Sequence, residues 1–219
     1  VKKHKLIIAR YNENLDWISN LDSNKFDFEI YNKGDNNIKF PHTKVNNIGR
    51  ESQTFIKYIV DNYNNLYDFT AFLQGNPFDH CKLETFNKLI FKKEFTPLED
   101  YSDYPEYYAH KKDVDGGYME INNNWYIPHL ISVYGQYSNK YFTSFNEFLS
   151  IMFENPQYSN WIRFSPGGQY LVPKENILFY SKSFYEKLLM FVNYSECPVE
   201  AFTIERASYY IFSNKWKEK

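Results

Sequence analysis

Residues Lys5–Glu13 read KLIIARYNE, and this stretch decides how the rest of the chain is read. KLIIA is a short apolar run of strand length, and RYNE is a polar string that ends it. The same pairing returns twice. Phe26–Tyr31 (FDFEIY) alternates apolar and acidic residues, as a half-buried strand does, and runs into the turn cluster Asn32–Asn37. Phe69–Leu73 (FTAFL) is a third run, ended by Gln74-Gly75-Asn76-Pro77. Between these runs, Leu15, Trp17, Ile18 and Leu21 predict a short helix. Phe55, Ile56, Ile59, Val60 and Tyr63 predict a second one after the turn at Asn46–Gly49. Strand, helix, strand, loop, helix, strand implies an α/β fold with a mostly parallel central sheet flanked by helices. Such sheets bind ligands at the carboxyl ends of their strands, so RYNE, NKGD and QGNPFDH share one edge.

Beyond residue 80 the pattern predicts a helix over 81–95, then a polar, Tyr-rich segment over 96–124 containing Gly116-Gly117. A loop that long inside a domain usually serves function. Ser144–Phe153 has helical spacing. The turn Ser165-Pro166-Gly167-Gly168 precedes a strand at Gln169–Val172, and helices follow at Ser183–Val192 and Pro198–Phe212. There is no internal repeat and no linker, so residues 1–219 are expected to form a single domain.

Composition excludes several classes. The chain has 219 residues, enough for a substantial core without a disulfide or structural metal. Phe, Tyr and Trp make up 21% of it, which argues against disorder and points to a core built largely from rings. No apolar run approaches the length of a membrane span, and the basic start VKKHK is followed by too short a run for a signal peptide. Cys81 and Cys197 make neither a disulfide framework nor a zinc site, and reduced thiols suggest a cytoplasmic protein. A net charge of −2 without a Lys/Arg cluster argues against nucleic acid as a partner.

The pieces ARYNE…LDWI, IYNKG, NIGRESQTFIKYIVDNYNNL, FLQGNPFDH, SPGGQYLVPKENIL and AFTIERASYYIF resemble, in order, a family known as domain of unknown function 3431 (DUF3431). That family looks like a divergent branch of the GT-A glycosyltransferases, related to the first domain of a chlorella-virus rhamnosyltransferase. The resemblance implies a sugar transferred from a nucleotide-diphosphate donor, UDP-linked, to a glycan or glycoprotein hydroxyl. It makes residues 1–80 a nucleotide-binding half and 81–219 an acceptor half, with 96–124 as an acceptor lid. It implies donor contacts at Arg10, Tyr11, Asn12, Glu13, Asn32, Lys33, Asp35, Arg50, Gln74, Gly75 and Asn76. Sugar or acceptor contacts would fall on Gly167, Gly168, Gln169 and Glu200. The catalytic carboxylates would be Glu205 and Asp79. Where GT-A enzymes carry a metal-binding Asp-x-Asp, this chain has Gln74-Gly75-Asn76, so Mn2+ or Mg2+ would fall to Asp79 and His80.

Each residue also has a plainer reading. Polar residues after a strand shape turns, Glu51 suits a helix N-terminus, and Glu205-Arg206 suits an exposed charge pair on a helix. Most rings belong in a core, which leaves Tyr101, Tyr104, Tyr107, Tyr108 and Tyr118 of the loop as candidate sugar platforms. A non-catalytic carbohydrate-binding module, or a degenerate transferase kept as an interaction domain, are the alternative functions.

Overall fold

The apolar runs become strands whose alternate side chains part to opposite faces of one sheet. The structure, a computed structural model, describes residues 3–100, 109–112, 118–119, 140–142, 144–158 and 161–219. Tyr101, Tyr104, Tyr107, Tyr108 and most of the 96–124 segment lie outside the described residues. β1 (His4–Arg10), β2 (Phe26–Asn32) and the two-residue β3 (Thr43–Lys44) run parallel. The helix α1 (Arg50–Asn62) then leads to β4 (Phe69–Gln74), which pairs parallel with β1 on the side away from β2. The short helix read at Leu15–Leu21 is a 3-10 turn over Asp16–Asn20.

The helix expected over 81–95 is shorter. α2 spans Leu83–Leu89, and the His4 ring Nδ1 is 2.9 Å from the Ile90 carbonyl, which a longer helix would use. β5 (Thr96–Pro97) follows. β6 (Ala109–Lys112), β7 (Tyr118–Met119) and, after α3 (Phe145–Met152), β8 (Trp161–Arg163) make a separate small antiparallel sheet. Ser144 accepts a hydrogen bond from the Glu147 amide, the serine half of a Ser-x-x-Glu capping box for α3. β9 (Tyr170–Pro173) completes the main sheet, and α4 (Lys174–Ile177), α5 (Lys182–Val192) and α6 (Val199–Phe212) close the chain.

The main sheet has the order β3-β2-β1-β4-β9-β5. It is mixed, and the expectation of a mostly parallel sheet is corrected here: β9 runs antiparallel to both β4 and β5. The cause lies in the turn before β9. Gly167 packs against the Gln74 side chain at the carboxyl end of β4, so a strand that starts at Tyr170 has to run back down the sheet.

Both sheet faces are covered. Ile7, Phe72, Tyr170 and Val172 point into a ring-rich core with Phe55 and Ile59 of α1, Phe191 of α5 and Phe212 of α6. Phe72 and Phe212 stack at 5.6 Å between ring centroids. Leu6, Ile8, Ala71, Leu73 and Leu171 point the other way, onto Ile18, Phe86 and Leu89. The rings thus do the work that aliphatic side chains do in other cores. Among the described residues no helix is long and apolar enough to cross a membrane.

Candidate functional site

β1 has β2 on one side and β4 on the other, and the chain reaches these neighbours by moving in opposite directions across the sheet. This is a switch point, where the loops at the carboxyl ends separate and leave a crevice. A cavity of about 850 Å3 opens there. Ala9–Tyr11 and Glu13 form one side of it, Arg50 and Glu51 the floor of α1, and Gln74, Asn76, Asp79 and His80 another side.

The side chain of Arg10 does not reach into solvent. It is 3% exposed, and its guanidinium knots the loops after β1 and β2 together. It donates to the carbonyls of Tyr11, Glu13, Asp35 and Asn37, to Asn32 Oδ1 at 2.8 Å and to Asp35 Oδ1 at 2.9 Å. Asn32 is buried in the same knot, and its amide donates to the Asp35 carbonyl. The Arg10 hydrogen bond holds the Asp35 carboxyl below its ordinary range. Asn12 Oδ1 accepts from the Asp35 amide, and Glu13 accepts from the Tyr11 amide. Arg10, Asn32, Asp35 and Asn12 therefore fix the shape of the wall. Tyr11, 52% exposed, and Glu13 line the cavity beside the buried Arg10. Gly34 is required by the same packing, because a Cβ there would lie 1.5 Å from the Tyr11 carbonyl oxygen.

Lys33 is also largely internal. Its ammonium donates to the carbonyls of Ile48 and Arg50 and, at 3.1 Å, to Gln53 Oε1. Burial draws its pKa down to about 8, the nearby Arg50 charge adding to this and Glu51 opposing it. Arg50 is the cation that α1 presents to the cavity. Its guanidinium lies 4.7 Å over the Phe202 ring, and Nε is 3.6 Å from Glu51 Oε2.

On the β4 side, Gln74 lies against Gly167, and Gly75 against Glu13. Gln169 is buried. It accepts from the Gln74 amide and donates to the Pro77 carbonyl, so it ties β9 to the QGNPFDH loop rather than lining the cavity. Gly167 and Gly168 are left-handed, and Gly167 N donates to Glu205 Oε1 at 2.7 Å. Glu205 sits behind this turn, largely buried, beside Glu51 and with Arg206 at 3.9 Å. Burial pushes its carboxyl up to about 7, the Glu51 charge adding to the rise and Arg206, Arg50 and the Gly167 amide opposing it. Glu200 faces a different part of the molecule. It is fully buried, accepting from the amides of Lys140 and Tyr141 and from the Tyr194 hydroxyl.

Asp79 is exposed, and its Oδ1 accepts from Asn76 Nδ2 at 2.7 Å. Burial lowers the His80 pKa, with the Asp79 and Glu51 charges opposing the shift. Among the described residues no three His, Cys, Asp or Glu side chains gather as a metal cage. What Asp79 and His80 offer fits a hard cation that arrives with its own phosphate ligands and keeps several waters, which needs only one or two carboxylates from the protein.

The sequence reading missed Glu51, Asn47 and Ser195–Cys197, all of which line the cavity. In the sequence Glu51 shows only a helix-end role. Ser195–Cys197 come from the loop between α5 and α6, tied to α1 by the Gly49 amide donating to the Ser195 carbonyl at 2.9 Å. No local pattern marks such a distant contribution.

A family model described as "Protein of unknown function (DUF3431)" matches residues 6–218. The chain belongs to this family. The DUF3431 match begins within β1 and ends beyond α6, so every described wall of the cavity falls inside it. No curated protein and no solved structure matches the chain.

Proposed function

We propose that this DUF3431 member is a glycosyltransferase of GT-A type that moves a sugar from a UDP-linked donor to a hydroxyl of a glycan or glycoprotein. The observation that carries the reading is the cavity at the β1/β4 switch point, with Arg50 on its floor and amides and carboxylates around it. Crevices at such switch points hold nucleotides in open α/β sheets. Gln74, Asn76 and Asp79 supply the hydrogen-bonding types that sugar hydroxyls take up.

In the transfer, the bond from the anomeric carbon to the donor phosphate breaks and a bond to the acceptor oxygen forms. The leaving diphosphate gains charge, and Arg50 is placed to offset it. Asp79 and His80 are the residues that would hold Mn2+ or Mg2+, whose charge would serve the same end. The acceptor proton passes to a carboxylate. Glu51 faces the cavity with Glu205 packed beside it, and Asp79 stands across from them; Glu205 acts in this reading through Glu51.

Calorimetric titration with UDP, UDP-glucose and UDP-rhamnose, with and without Mn2+, tests the proposal. Binding that Arg50→Ala weakens about tenfold or more is expected, the loss of one charge-assisted hydrogen bond. If no nucleotide binds, the proposal fails. Binding without turnover on any acceptor would mark a degenerate transferase.

A further inference from the structure

Helix α1 opens on two consecutive left-handed residues, Gly49 at φ 65° and Arg50 at φ 52°. The first has a plain cause: a Cβ at Gly49 would lie 2.4 Å from the Val192 carbonyl oxygen. The second has none of glycine's freedom. A side chain in this region is strained, and such strain persists only where the surroundings enforce it. The enforcing contacts are visible. The Lys33 ammonium donates to Ile48 O and Arg50 O, the carbonyls that bracket the pair. Its remaining proton goes to Gln53 one turn on, and Gln53 Nε2 donates in turn to Asn193 Oδ1 at 3.2 Å. Lys33 is 8% exposed, and its partners are two carbonyls and an amide rather than a carboxylate. Placing a lysine there costs desolvation that, among the described residues, no opposite charge at contact distance returns. An apolar side chain would fill the same space without that cost, but it would leave the carbonyls unmet.

We infer that Lys33 is a positioning residue: it clamps the strained Gly49–Arg50 turn and so sets the Arg50 guanidinium on the cavity floor. Anion affinity then depends on Lys33 although its ammonium protons are spent on the protein. The part of this inference that concerns affinity rests on Arg50 being the diphosphate contact proposed above; the clamp itself does not.

A double-mutant cycle separates the two parts. Lys33→Met, Arg50→Gly and the pair are unfolded in urea and titrated with UDP in Mn2+. Arg50→Gly relieves the strained position, so its midpoint is expected to equal or exceed that of wild type. Lys33→Met lowers the midpoint, and lowers it clearly less in the Arg50→Gly background. Equal drops in both backgrounds would overturn the clamp. For UDP, Lys33→Met weakens binding about tenfold in wild type and less than about twofold once Arg50 is glycine. Undiminished affinity in Lys33→Met, or an equal loss in both backgrounds, would overturn the positioning role, since a merely structural lysine would loosen the cavity either way. A wild type that binds no UDP would sink the donor reading while the urea cycle still decides the clamp. Should Lys33→Met fail to fold, Gln53→Ala removes one of the three acceptors and is read in the same cycle.

Discussion

Replacing Glu205 with glutamine keeps the shape of the side chain and the acceptor for the Gly167 amide, but removes the group that titrates. In the folded chain, burial and the Glu51 charge raise the Glu205 pKa from 4.5 to about 7. The native state therefore holds this proton more tightly than the unfolded chain. The associated stability is fully present below pH 4.5 and is lost as pH rises through about 7. At about 1.4 kcal/mol per pH unit, the displacement sets a loss of about 3 kcal/mol in wild type between pH 4.5 and 8. That is a large share of the stability of a domain this size. Urea unfolding of wild type and Glu205→Gln across this range measures it. Taking the difference between the two proteins cancels other groups with raised pKa values, such as Glu99. The variant should gain on wild type steadily through neutral pH. A difference that stays flat, or that moves toward wild type as pH rises, would refute the reasoning and mean that Glu205 is solvated or firmly paired with Arg206. In Glu51→Gln the loss should be smaller and complete at lower pH, because one repulsive charge beside Glu205 is gone.

Three further outcomes follow from the packing. Arg10→Met removes a buried guanidinium that bonds two loops, and should cost about 3 kcal/mol in urea unfolding; a cost under about 1 kcal/mol would mean the knot is incidental. Gly167→Ala forces a left-handed residue to carry a Cβ 2.6 Å from the Gln74 carboxamide. It should cost at least about 1 kcal/mol and weaken UDP binding through Gln74, and unchanged affinity would argue that Gln74 is not at the ligand. Glu200→Gln leaves one of two amides or the Tyr194 hydroxyl poorly met, so it should lower stability by about 1 to 3 kcal/mol while leaving UDP affinity alone.

β1 and β4 were legible because each is a short apolar run closed by a polar string, a pattern that burial on both faces demands, and β2 because it alternates; the two-residue β3 and β5 carry no such pattern. The direction of β9 was not, because it depends on where the Ser165–Gly168 turn comes to rest, almost a hundred residues after β4. The site divides in the same way. Composition and order put RYNE, NKGD and QGNPFDH on one edge, and the cavity is there. Which polar residue faces the cavity and which faces its neighbours is another matter. Arg10, Asn32 and Gln169 are as polar as Tyr11 or Asn76, yet they are buried and spent on the chain. Only the fold reveals how many acceptors surround a given side chain. Glu51 was underrated for a related reason. A glutamate in a first helical turn already has a sufficient local cause, the helix dipole, and that cause says nothing of the cavity that Glu51 also lines.

The Arg10 knot bears on how the cavity responds to what enters it. One guanidinium joins the two loops at the β1/β2 corner, so neither can swing without breaking bonds made by the other. That corner behaves as an anvil. Any tightening around a molecule in the cavity would come from the far jaw, the Gln74–His80 loop together with Ser195–Cys197, the latter held by a hydrogen bond from the Gly49 amide at the start of α1. Changes in this jaw should therefore alter how quickly a ligand leaves. Changes in the corner should decide whether the cavity exists at all.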